Sequence, residues 1–219
     1  MEYLKEKGVV VAKVAELTPL GVASLALLAE EPRHPYEMYQ VLMARHEDRL
    51  VKVRPGTLYH AVGRLAENGL VEATGTEREG NRPERTTYRI TAAGHDALNA
   101  RLQGMLSTPV NEYPVFPHAI AEAHNLPADV VMELLAERLL ALGADLDFLV
   151  HAEATVTAKG LDRKYWIDIT YQQAMRRTEI AWIRELLEEL RNGRLPWDEP
   201  RPTPTELSYK PKESLGKRS

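Results

Sequence analysis

The 219-residue chain has no cysteine. That excludes structural disulfides, thiolate zinc sites and cysteine redox sensing, and it suits a reducing cytoplasm. Long apolar runs are missing too. Nothing approaches the ~18 residues of a membrane span, and Val9–Ala15 is short and interrupted by Lys13. With no convincing cleavage site after it, neither a membrane partner nor a signal peptide is expected. Catalytic signatures are equally scarce: there is no nucleophile elbow, phosphate loop, HExxH or Gly-rich dinucleotide motif, and the carboxylates are scattered. The chain is not expected to be an enzyme or to need a cofactor. His118, Glu122 and His124 come nearest to a metal cluster, but their spacing matches no ligand motif, so no metal is expected. Finally, there is no excess of positive charge. The net charge is −4, and between Thr18 and Leu98 ten Lys and Arg face eleven Asp and Glu. A non-specific polyanion binder should be basic, so any nucleic-acid contact here has to rest on where the cations sit.

What is present is an ordinary globular composition, 44% apolar and 27% charged, in a chain long enough for one or two domains. It is organised around Val53–Val71, VRPGTLYHAVGRLAENGLV. Pro55 suits a first helical position and Gly69 a left-handed C-terminal cap. At 100° per residue Leu58, Ala61, Val62 and Leu65 share one arc, a core-facing stripe. Gly56, Thr57, His60, Gly63, Arg64 and Glu67 fall opposite. A mid-helix Gly63 costs about 1 kcal/mol relative to Ala, and nothing local offsets it. Small and polar residues with an arginine suit an outer face that another molecule approaches closely, such as a DNA major groove. Two strand-like runs follow, Leu70–Thr74 and Thr86–Ile90, joined by the charged loop Gly75–Arg85. A helix followed by a hairpin with a charged tip is the order of a winged helix-turn-helix.

The runs PGTLYHAVGRLAENGLVE and TTYRITAAGHDAL, with Leu17–Leu28 and His34–Tyr36 upstream, resemble the DNA-binding domain of the PadR family of transcriptional regulators. The resemblance extends over roughly residues 17–105. The family often has Ser where Arg54 stands and Pro where His60 stands, which bears on how bases are read. The expected partner is double-stranded DNA. Its expected contacts are Arg54, Gly56, Thr57, Tyr59, His60 and Arg64 on the helix, with Lys52 beside them and Arg78, Arg82 and Arg85 on the wing. Tyr59 lies at the margin of the core arc, so packing is as good a role for it. The wing arginines alternate with Glu77, Glu79 and Glu84, which also fits a solvated loop.

Thr18-Pro19 should open a first helix to about Glu30, and His34-Pro35 a second to about His46. Leu50–Val53 reads as a short strand joining the wing sheet. Thr91 should cap a helix reaching about Leu106. After the Pro-punctuated connector at 109–126, two long amphipathic helices are expected, Pro127–Thr157 and Asp162–Arg191, broken at Gly160. Their apolar seams exceed what one hairpin can bury, so they should pair with a second copy. The resemblance implies the same homodimer, and with it an inverted-repeat target. The aromatic residues Tyr113, Phe116, Phe148, Trp166 and Trp182 are candidates for a small apolar or aromatic effector, which the resemblance permits; core packing is the plainer role. Residues 1–16 form an arm of undecided structure, and the Pro-rich 192–219 a flexible tail. The expected fold is therefore mainly α with a small β-hairpin wing. The expected function is a cytoplasmic, homodimeric, repressor-type regulator. A winged-helix interaction module that has lost DNA affinity is the alternative, kept open by the acidic balance.

Overall fold

The computed structural model describes residues 17–77 and 85–197. Helix α1 (Pro19–Glu30) begins where Thr18 Oγ1 accepts a hydrogen bond from the Gly21 N–H at 3.1 Å. Its sequence is almost uncharged and is buried on several sides, at Leu25, Leu27 and Leu28. Ser24 is wholly buried with them and donates to the Leu20 carbonyl at 2.8 Å, so no orphan polar group is left in this core. Helix α2 (Pro35–Ala44) ends earlier than its apolar pattern suggests. His46 takes a left-handed conformation (φ 57°), and a 3₁₀ turn follows at Glu47–Arg49.

Helix α3 (Pro55–Glu67) keeps the ends expected of it. Gly69 has φ +69°, its N–H reaches the Ala66 carbonyl, and Leu70 N–H reaches Leu65, both at 2.9 Å. This double closure satisfies the last carbonyls and turns the chain into strand β1 (Val71–Glu77). Strand β1 pairs antiparallel with β2 (Arg85–Ile90) from Val71↔Ile90 to Glu77↔Arg85, with a bulge between Ala73 and Gly75. Leu50–Val53 is not a strand in this sheet. Arg33 occupies the outer edge of β2 instead, exchanging two 3.0 Å hydrogen bonds with Tyr88, so that edge is already taken.

Helix α4 (Ala92–Ser107) is capped by Thr91, whose Oγ1 accepts from Gly94 N–H and donates to the Gly69 carbonyl at 2.8 Å. Thr91 N–H donates to Leu70 O at 3.0 Å. Gly94 lies so close to this junction that a Cβ would stand 2.1 Å from Leu70 O. One core unites Leu17, α1, Met38 and Leu42 of α2, the α3 stripe, Leu70, Val71 and Leu98.

The chain divides into two compact units between Asn111 and Glu112. In the second, a short helix α5 (Val115–Ala121) stands inside the stretch expected to be only a connector. Helices α6 (Ala128–Ala158) and α7 (Ile167–Arg191) pack antiparallel through Val131, Leu135, Leu142, Ile180, Ile183 and Leu187. Gly160 (φ +68°) ends α6, and a 3₁₀ turn at Arg163–Tyr165 delays the start of α7 to Ile167. The seam is not wholly apolar. Buried Gln173 donates to Glu153 (2.7 Å) and to the Leu149 carbonyl (3.2 Å) and accepts from Arg177 (2.8 Å). Arg176–Asp145 and Arg138–Glu179 flank it. The beginning of the expected tail is also packed: the Trp197 indole donates to the Leu126 carbonyl at 2.8 Å, and its ring lies on the α6–α7 core. Among the described residues no helix is long and apolar enough to cross a membrane.

Candidate nucleic-acid interface

Leu58, Ala61, Val62 and Leu65 turn inward on α3, all under 5% exposed. That forces Gly56, Thr57, Tyr59, His60, Arg64 and Glu67 outward. Neither Gly56 nor Gly63 is demanded by packing, since a Cβ on either meets nothing within 4 Å. Thr57, Tyr59, His60, Gly63, Arg64 and Glu67 surround one shallow concavity on this face.

The candidates are not equivalent. The Thr57 hydroxyl is spent locally, accepting from Arg54 N–H (3.2 Å) and donating to Arg54 O (2.9 Å). This return bond from the third helical position offsets the missing Ser-type cap at Arg54 and leaves mainly the Thr57 methyl to face a ligand. Arg64 and His60 have no side-chain partner among the described residues. Tyr59 is 46% exposed, yet its ring meets His34 edge-on at 5.8 Å between centroids. Arg85 is exposed where β2 begins, opposite Glu77 at the end of the ladder next to the wing loop, while Arg78 and Arg82 lie outside the described residues.

Ion pairs elsewhere engage charges of both signs in equal number and leave the balance of the domain unchanged. Arg45 binds Glu30, whose carboxyl it holds below the ordinary carboxylate range; Arg33 reaches Glu30 and Glu31, and Arg89 pairs with Glu72 across the hairpin. These carboxylates are neutralised locally, whereas the α3 face sets Arg54 and Arg64 against Glu67.

The sequence marks His34 only as the opening of a helix before Pro35, with no role for its ring. Its Nδ1 accepts from Tyr36 N–H at 3.1 Å, and Glu37 returns a bond to the His34 N–H at 3.0 Å. Burial depresses its pKa, the Arg85 charge depresses it further, and Glu37 partly opposes both. The folded state therefore favours the neutral ring. Its contribution to stability is complete above the unfolded pKa of about 6.5 and fades as the pH falls through the lower folded value. Between pH 7 and 5 the denaturation midpoint should fall more for the parent than for His34→Asn, which caps without titrating. Parallel pH profiles would dismiss this role.

In the second unit the five aromatic candidates separate. Phe116 and Trp182 meet edge-to-face at 6.4 Å. Arg138, which the sequence reading passed over, stands 3.6 Å above the Phe116 ring and also pairs with Glu179. Trp166 belongs to the α6–α7 turn, its indole donating to Leu161 O at 2.9 Å. Phe148 is half-buried on α6, and Tyr113 is 82% exposed. No group of His, Asp and Glu among the described residues could hold a metal ion.

Three helices, a two-stranded wing and an outward α3 define a winged helix-turn-helix. Residues 24–100 match the model of the transcriptional regulator PadR-like family, and the chain carries a domain of that family. Among solved structures it is similar to Bacillus subtilis PadR in complex with operator DNA (TM-score 0.67, 17% identity, covering 78% of this chain and 98% of that one). Bacillus subtilis PadR in complex with p-coumaric acid matches at TM-score 0.64 and 16% identity, over 78% and 98% of the two chains. The Vibrio cholerae virulence activator AphA matches at TM-score 0.58 and 20% identity, over 80% and 99%. At these identities the likeness is one of fold. Among curated proteins none matches.

Proposed function

We propose that the chain is a sequence-specific transcriptional regulator, a cytoplasmic homodimeric repressor acting on an inverted repeat. The observation that carries this is the outer face of α3, where Arg64 and His60, without side-chain partners among the described residues, flank a glycine that packing does not require. Residues 17–108 would bind DNA and 127–191 would join the subunits, with 109–126 between them. Support for the dimer comes from a second apolar stripe on α7: Tyr171, Met175 and Trp182 are 44–67% exposed, on the side opposite Ile180 and Leu187. A partner helix would cover it. The operator-DNA complex of the Bacillus subtilis protein supports DNA as ligand. Its p-coumaric acid complex supports an aromatic effector, for which Phe116, Trp182 and Arg138 offer ring faces and a cation.

Selection of duplexes from a random pool, followed by salt titration, tests the reading. One palindrome should be enriched, and its affinity should fall steeply with salt. No enrichment would favour the interaction module instead. Arg64→Ala should relax discrimination at one or two base pairs per half-site and cost about 1–3 kcal/mol. Arg85→Ala should weaken all sequences alike and lower the salt slope by about one. Unchanged specificity in the first variant would place the reading face elsewhere.

A further inference from the structure

Among the residues lining the concavity on α3, Gly63 alone has no side chain. Gly63 is not required by packing, since an added Cβ meets nothing within 4 Å. Backbone conformation does not require it either, because the glycines at positive φ are Gly69, Gly160 and Gly193. A glycine in the middle of a helix weakens it, so its presence calls for an explanation outside the folded chain. At Gly63 the lining offers only its Cα, since the backbone groups around it are committed to the helix. Thr57, Tyr59, His60, Arg64 and Glu67 complete the lining, with Tyr59, His60 and Glu67 one helical turn from Gly63.

A base edge entering this concavity would meet carbon at Gly63 and polar groups around it. On the major-groove edge of DNA, every recognition feature is a donor or acceptor except one, the C5-methyl of thymine. We propose that Gly63 is a specificity-determining residue that receives the C5-methyl of one thymine in each half-site. The inference rests on the DNA-reading role given to α3 above. Polar partners at the rim would serve bases beside that thymine, Arg64 as a donor and Glu67 as an acceptor. A Cβ at position 63 would occupy the space of the methyl and hold the helix off the base.

The test uses the full chain, the duplex enriched from a random pool, and a set of duplexes in which each thymine is replaced in turn by deoxyuridine. That replacement removes the methyl and leaves the pairing edge intact. For the parent, one deoxyuridine position per half-site should weaken binding about fourfold, the worth of one buried methyl. Gly63→Ala should bind the thymine duplex correspondingly less well and no longer distinguish thymine from deoxyuridine there. Since Ala favours the helix, circular dichroism should show the variant folded. The inference is overturned if no thymine methyl matters to the parent, or if Gly63→Ala keeps the parent's discrimination. If no duplex is enriched at all, the DNA reading itself has failed, and this inference with it.

Discussion

Gly94→Ala is expected to destabilise the winged helix more than any other exchange of a single methyl. The added Cβ would stand 2.1 Å from the Leu70 carbonyl oxygen and 2.7 Å from Ile90 Cγ1. The first of these is backbone, and it accepts the Thr91 N–H, so it cannot retreat without losing the hydrogen bond that ties the start of α4 to the end of α3. Either α4 lifts from the hairpin or the carbonyl rotates away from its donor. Overpacking of this kind costs about 1–3 kcal/mol, and loss of the backbone hydrogen bond adds about 1 kcal/mol. Thermal and denaturant unfolding measure it directly. A variant as stable as the parent would mean that the junction is much softer than its hydrogen bonds imply.

The largest effect on function is expected from separating the subunits. A chain ending at Thr108 retains every member of the first core, Leu17 to Leu98, and should fold. It should be a monomer, and it should bind the full palindrome more weakly by a factor on the order of 10²–10⁴, having lost the second reading head held nearby. Within the full chain, Leu187→Asp places a carboxylate at a site 1% exposed between α6 and α7, at a cost of several kcal/mol. By disrupting the hairpin it should act in the same direction. Sedimentation mass and operator affinity, measured together, decide the matter. A truncated dimer, or a monomer that binds as tightly as the parent, would refute the assignment of 127–191 to dimerisation.

Several helix ends were legible because they are written in residues with one dominant use. Thr18 and Thr91 cap, Pro19 and Pro55 open, and Gly69 and Gly160 close. The α3 stripe was legible for the same reason, a short period with little competing pattern. Less visible was anything decided by a distant partner. Leu50–Val53 has the composition of a strand, but whether it joins the sheet depends on Arg33 reaching Tyr88 first. Helix α5 was hidden by Pro117 within it, and Trp197 by the proline-rich sequence it introduces, since neither helix nor packing is local to those residues. In the site, Thr57 and Arg64 look alike as exposed polar residues. The fold separates them: the Thr57 hydroxyl is occupied by Arg54, while the Arg64 guanidinium has no partner among the described residues. The Phe116–Trp182–Arg138 group likewise joins three helices, and spacing along any one of them does not reveal it.

The clamp at the start of α4 also makes that helix a lever. Thr91 ties its first turn to Gly69 and Leu70, the two residues that terminate α3, so its fixed end and the end of α3 are one joint. Its 16 residues extend about 24 Å from that joint. A tilt of about 10° at the clamp would then carry the far end roughly 4 Å. In the reverse direction, a displacement of several ångströms at Ser107 is geared down to a small rotation where α3 ends, with force gained as travel is lost. A device of that ratio can turn a coarse rearrangement elsewhere into the fine angular correction that groove fitting requires.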